Sequence, residues 1–312
     1  MKDEAKAIHN AHMSSSSPSR PLAYACLALS MTLVGCYVAL SKPLAATFPV
    51  LLLAWLRFGL GGLGMLSWLR KPAAEPPLSP KTHWLVFLES LFGNFLFTLC
   101  MVAGVAMTNA VTASVTMAAM PATVAVMGWI FLREQLHARL VIAILLGGLG
   151  IALLALSQSQ MPTNATHPVL GQLLLIGALL CESAYSIIGK QLTGQLSAKR
   201  ITALINLWGL VLASPAGLYL AWQFPFATVG WGTWVLLLFY ALAACIWTVW
   251  LWMTGLKTIP ASQAGVFTVC LPISTAITGV LFLDERLAGM QWLALALALL
   301  GIVLATLPLR KR

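Results

Sequence analysis

The sequence predicts an all-α integral membrane protein with ten transmembrane helices, arranged as two inverted five-helix repeats. Three observations carry that expectation. Of 312 residues, 60% are hydrophobic and 8% are charged, whereas a soluble domain uses about a quarter charged residues to cover its surface. The apolar residues fall in ten long runs. Finally, the fourth and fifth runs read like the ninth and tenth.

A helix crosses a bilayer with about 20 apolar residues. The first set of runs lies near residues 22–40, 50–69, 84–106, 110–132 and 140–156. The second lies near 169–190, 201–222, 234–256, 261–283 and 291–307. Every backbone amide must be satisfied within lipid, so such runs are expected as helices. The remaining boundaries follow. Residues 1–21 read as a disordered cytoplasmic tail, polar and serine-rich, followed by an apolar run too long for a signal-peptide core. Met13 opens a second candidate start, Met-Ser-Ser-Ser-Ser-Pro. Residues 22–156 form the first repeat, 157–168 an external linker, 169–307 the second repeat and 308–312 a basic tail.

Charge fixes the orientation. With a cytoplasmic N-terminus, fifteen of the 18 Lys and Arg residues fall on the inside; Lys42 and Arg286 fall outside, and Arg57 lies within the second run. This is the positive-inside pattern, so both termini are expected in the cytoplasm of a multi-pass protein of the plasma (inner) membrane. The net charge of +10 is therefore spent on topology, which excludes a nucleic-acid face. All six cysteines sit inside runs, with no disulfide framework or zinc spacing. His9, His12, His83, His137 and His167 lie in tails or at run ends, so neither a metal nor a cofactor is expected. Asn164-Ala165-Thr166 matches a glycosylation acceptor but is a common tripeptide.

The repeat is read from register. At an offset of 151, Pro121 meets Pro272, Gly128 meets Gly279, Glu134 meets Glu285, Leu136 meets Leu287, and Gly150-Ile151 meets Gly301-Ile302. At an offset of 148, Tyr37 meets Tyr185 and Lys42 meets Lys190. A unit of five runs reverses its copy through the membrane, and inverted repeats place a substrate site near midplane between the halves. Two five-span copies, each with a proline in the fourth span and a Glu-x-Leu turn before a Gly-rich fifth, resemble the EamA family of the drug/metabolite transporter superfamily. The Arg57-Phe58 pair in the second run is similar to that family too. The resemblance covers roughly residues 22–307 and implies a plasma-membrane carrier, often an exporter of amino acids or related metabolites. Where the family often has Trp-Gly in its first span, this chain has Val34-Gly35, and the equivalent place in the sixth is Glu182-Ser183. That departure leaves the substrate open.

Positions i, i+3, i+4 and i+7 share a helix face, and polar stripes at this spacing mark candidates for a cavity. The substrate-binding candidates are Tyr37, Thr112, Thr116, Glu182, Tyr185, Ser186, Tyr240, Trp247, Gln263 and Phe267. The stripe Glu89, Gly93, Leu96, Cys100 in the third run maps to Tyr240, Ala244, Trp247, Leu251 in the eighth. Arg57, Glu89 and Glu182 are charges inside runs, where charge is costly and marks function by default. Glu182 can bind a cationic group, carry a proton, or form a buried ion pair with Arg57. Glu89, nearer the cytoplasmic face, is expected to snorkel to water. Glu134 and Glu285 are expected to cap the fifth and tenth helices. Pro121 and Pro272 are expected to kink their helices. Trp231 and Trp234 read as interfacial anchors.

The partners implied are a small-molecule substrate, the lipid bilayer and protons as a candidate coupling ion. The alternatives are a membrane-embedded enzyme or a channel. No His-Glu-x-x-His or paired catalytic carboxylates support an enzyme, and Gly189-Lys190 lacks the glycine spacing and Ser/Thr of a P-loop. No repeated pore loop supports a channel.

Overall fold

The computed structural model describes residues 18–40, 44, 47–70, 77–107, 116–117, 119–157, 168–271, 273–274, 277–278 and 289–306. Those residues are mostly helical, joined by turns and short loops, with no strand among them. The first half holds α1 (Arg20–Leu40), α2 (Val50–Gly64), α3 (Pro80–Ser90), α4 (Phe97–Met107), α5 (Met120–Leu132) and α6 (Ala138–Ser157). The second holds α7 (Pro168–Thr193), α8 (Ala198–Gln223), α9 (Trp231–Leu242), α10 (Thr248–Thr258), α11 (Ala261–Val266) and α12 (Gly289–Thr306). A π-helical turn, Leu91–Leu96, joins α3 to α4, and another, Ala243–Trp247, joins α9 to α10. Among the described residues, four stretches are long and apolar enough to cross a membrane: Pro80–Met101, Val169–Thr193, Ala198–Gln223 and Trp231–Thr258. Shorter apolar helices cover Val50–Gly64, Met120–Leu132 and Ala138–Gly150.

Local chemistry sets the ends. Ser79 caps α3 by accepting from the Thr82 amide at 3.1 Å, and Pro80 follows where its missing N–H is not needed. Ser197 caps α8 in the same way, accepting from Arg200 N at 3.3 Å. Arg133, at φ 53°, ends α5 in the left-handed region. Pro121 lies in the first turn of α5, just after a turn at Ala119 that follows the helical residues Thr116 and Met117. Pro272 and Glu285 lie outside the described residues.

The helices interlock across the two halves. α1 packs along α10, α4 along α7, α2 along α8, α5 against α11 and α6 along α12. Small residues allow the approach: a Cβ on Gly301 of α12 would stand 2.8 Å from the Ala143 carbonyl of α6. One apolar cluster gathers Leu27, Ile201, Ile205, Met253 and Leu256; a second gathers Phe48, Leu52 and Leu237. Large apolar side chains such as Leu63, Val169 and Trp222 point outward, as a lipid-facing surface requires.

Glu134 departs from expectation. Its Oε1 accepts from Ala261 N at 2.7 Å, and its Oε2 accepts from Ser262 N at 2.9 Å and Ser262 Oγ at 2.6 Å. It therefore caps α11, in the other half, and not the helix that follows it in sequence. A carboxylate is favoured at any helix N-terminus within reach, and the left-handed turn at Arg133 aims it at α11.

Candidate functional site

A cavity of about 500 Å³ lies between the halves. Its walls come from α1, α2, the α3–α4 helix, α5, α7, the α9–α10 helix and the segment after α11. The lining follows the repeat. At offset 151, Gly93, Phe97, Thr98, Met101, Met117 and Met120 pair with Ala244, Thr248, Val249, Trp252, Thr268 and Leu271, and all twelve line the cavity. At offset 148, Val34 pairs with Glu182 and Tyr37 with Tyr185, and these four line it too. Arg57 and Asn94 add polar groups without a lining counterpart.

The π turns decide which residues face inward. Regular α-helical spacing puts Trp247 and Leu251 on the face of Ala244. A π turn takes up about one more residue per turn, so Trp247 turns away and the inward face centres on Thr248 and Trp252. Likewise Phe97 and Met101 replace Leu96 and Cys100. Trp247 is 40% exposed and turned away from the cavity, with its ring 6.3 Å from that of Phe239. The widened turn frees carbonyls, and side chains take them. Thr248 Oγ1 donates to Ala243 O and Ala244 O at 3.0 and 3.2 Å, and Asn206 Nδ2 donates to Cys245 O at 3.0 Å. Ser30 Oγ of α1 donates to Thr248 O at 2.7 Å.

The other candidates divide. Arg57, Tyr37, Glu182 and Tyr185 meet at the cavity. Tyr240 stands behind it: Arg57 Nη1 donates to Tyr240 OH at 3.3 Å, and the Tyr37 and Tyr240 rings meet edge to face at 5.3 Å. The partner of Arg57 is thus a phenol and not Glu182. Phe267 is 2% exposed and stacks on Tyr24 at 5.7 Å within the apolar core, because the 3₁₀ turn Phe267–Val269 gives the inward position to Thr268. Gln263 Nε2 donates to Tyr24 OH at 3.0 Å, away from the cavity. Thr116 accepts from Gln172 Nε2 at 3.1 Å, and Ser186 Oγ donates at 3.5 Å to the Glu182 carbonyl of its own helix. Thr112 lies outside the described residues. Glu89 does not reach water: it is fully buried, since α7 covers it through Gly189.

Sequence reasoning missed Asn94, Phe97, Thr98, Thr248 and Trp252. The register of the repeat pairs Phe97 with Thr248, and the π turns centre these two on the inward face.

The model of the EamA-like transporter family matches residues 21–156 and again residues 169–307. The chain belongs to the EamA-like transporter family. It is thereby a member of the drug/metabolite transporter superfamily with the family domain present twice. Among relatives of this EamA-like transporter are three from Bacillus subtilis (strain 168). Uncharacterized transporter YetK is 28% identical over 281 residues, covering 90% of this chain and 85% of its own. Uncharacterized transporter YyaM is 24% identical over 81% of this chain and 83% of its own. Uncharacterized transporter YwfM is 27% identical over 48% and 50%. A protein of known crystal structure superposes with a TM-score of 0.74 at 19% identity, covering 90% of this chain and 95% of the other, so the two share a fold.

Proposed function

We propose that this chain is a secondary transporter that exports amino acids or related small metabolites across the plasma membrane by alternating access. It has ten spans as two inverted five-span repeats, residues 22–156 and 169–307, and both termini in the cytoplasm. The observation that carries the reading is the cavity between the halves, lined by repeat-equivalent residues and holding two unlike charges, Arg57 and Glu182. A carboxylate and a guanidinium that are not spent on each other are free to meet opposite charges on a solute. Asn94, Thr98 and Thr248 offer further polar contacts, while Phe97, Trp252 and the methionines give apolar walls. Protons are the proposed coupling ion.

Alternating access needs contacts that hold one end shut and then release. The clasp of Glu134 on α11, the Tyr24–Gln263 bond and the bond from Thr82 Oγ1 to Gln195 Oε1 at 2.6 Å all join the halves at the end assigned to the cytoplasm. In this reading they close that end while the cavity communicates with the other.

Purified protein in liposomes, tested with a panel of labelled amino acids and related metabolites, should move at least one of them. The Glu182→Gln variant should fold and insert normally but lose that transport or its pH dependence. Normal transport and pH response by well-expressed Glu182→Gln would remove Glu182 from the site. Reporter fusions at Lys81, Ser197 and the C-terminus should score cytoplasmic, and fusions at Ser159 and Gln223 external. One robust reversal would defeat the inverted repeat.

A further inference from the structure

We propose that Glu89 is a proton-binding site of this carrier, set behind Tyr185 and apart from the residues that line the cavity. The proposal rests on the transporter reading above, and it concerns a residue that no lining contact explains.

The geometry begins with two glycines. α7 runs antiparallel to the α3–α4 helix, so residues 185 and 189 face 93 and 89. A Cβ on Gly93 would fall 2.1 Å from Tyr185 Cδ2, and a Cβ on Gly189 would fall 2.8 Å from Glu89 Oε1. Each helix thus supplies a glycine beneath a large side chain of the other. Tyr185 reaches the cavity wall; Glu89 lies one turn further along, beyond it. Met253 of α10 closes the same spot, with Cε and Sδ 3.0 and 3.2 Å from the Gly189 position. The Glu89 carboxyl is fully buried; the Gly189 backbone lies against it, but neither oxygen makes a well-formed hydrogen bond among the described residues.

The repeat gives an internal control. At offset 151 the counterpart of Glu89 is Tyr240, and at offset 148 the counterpart of Tyr185 is Tyr37. In that second arm the inner group is answered, because Arg57 donates to Tyr240. In the first arm the equivalent place holds a carboxyl that no side-chain donor among the described residues answers.

An ionised carboxylate in so apolar a place needs a donor, a cation or water, or it takes up a proton. The charged and titratable groups around it do not supply a cation. α7 presents Glu182 and Tyr185. Lys190, next to Gly189, sends its ammonium to Leu256 O and Ile259 O. α10 presents the Met253 thioether and carries Lys257 in its last turn. α8, which also packs on α3, carries Lys199 and Arg200 in its first turn. A sodium ion requires several oxygen ligands, and the close glycine and thioether contacts offer neither ligands nor room. A proton needs only the carboxyl oxygen. In the state described here Glu89 carries it, and separation of α7 from α3 would open the seat to water and release it.

The test is infrared spectroscopy of the purified full-length protein in liposomes, with no substrate required. The wild type should show a carboxylic-acid carbonyl band at neutral pH that fades as pH is raised. Glu89→Gln should lack the band, Glu89→Asp should move it, and Glu182→Gln should keep it. A wild type with no such band overturns the proposal, as does a band unchanged in both Glu89 variants. With a metabolite found in the panel, Glu89→Gln should exchange it but lose accumulation driven by a pH gradient. Accumulation at the wild-type rate overturns the coupling role. If the panel yields no transported metabolite, the carrier reading fails, while the band still decides whether Glu89 binds a proton.

Discussion

The two arms that flank the cavity are built alike and furnished differently. One arm is the α3–α4 helix against α7; the other is the α9–α10 helix against α1. Both long helices carry a π turn, and both present residues at the same repeat offset to the cavity. Yet where one arm has Gly93, Phe97 and Met101, the other has Ala244, Thr248 and Trp252, and where one has an unanswered Glu89 the other has Tyr240 bonded to Arg57. Backbone geometry has been kept by the repeat while the chemistry has diverged. The shape of the cavity is thus a property of the duplicated fold, and its polarity a property of one arm or the other.

The largest way to sharpen this comparison is at the π turn of the second arm. Trp252 is 2% exposed and faces the cavity, and Trp247 is half-exposed and faces away. Trp252→Ala should lower stability by about 3 kcal/mol, the scale of a large aromatic removed from packing. Trp247→Ala should change it by less than about 0.5 kcal/mol, as for a surface change. Thermal unfolding in detergent reads both. Equal losses would mean that the face does not shift across the turn.

A smaller contrast lies at the facing small residues. A methyl group on Gly93 must displace the Tyr185 ring, whereas position 244 already carries one. Gly93→Ala should destabilise by about 1–3 kcal/mol through overpacking. Ala244→Gly should cost about 1 kcal/mol through backbone freedom. If Gly93→Ala instead stabilises, the close approach of the π turn Leu91–Leu96 to α7 is wrong.

A modest effect is expected at the phenol of Tyr240. Tyr240→Phe removes the Arg57 bond and should cost about 0.5–1.5 kcal/mol. The same unfolding assay checks it, and no change would show that Arg57 has another acceptor.

Much of this was legible in the sequence, for physical reasons. Lipid leaves a long apolar run no choice but a helix, so the helical character of the described runs could be read without homologues. Arg57, Tyr37, Glu182 and Tyr185 were legible as site candidates because charge and repeated tyrosines stand out within apolar runs, and the structure brings those four to one cavity. Trp247 was misplaced because helical arithmetic assumes uniform spacing, and no local residue pattern announces the π turn at Ala243–Trp247. Phe267 was misplaced by the 3₁₀ turn in the same way. The partner of Glu134 lies 127 residues away on α11, so only a folded chain could reveal it, and Glu89 looked close to water because sequence gives depth along a helix but not what covers it.

The interlocking of the halves bears on how the protein is made. Each helix of the first half has its main neighbour in the second: α1 in α10, α2 in α8, α4 in α7, α5 in α11 and α6 in α12. As the chain leaves the ribosome, α1 through α6 enter the bilayer before any of those neighbours has been synthesised. Until the second half arrives, the early helices lack their main packing partners. Completion of the bundle therefore depends on contacts between the halves. Truncation after the first repeat leaves inserted helices whose contact faces are bare, the state that membrane quality-control proteases recognise. Two separately expressed halves hold between them every surface needed to complete the bundle.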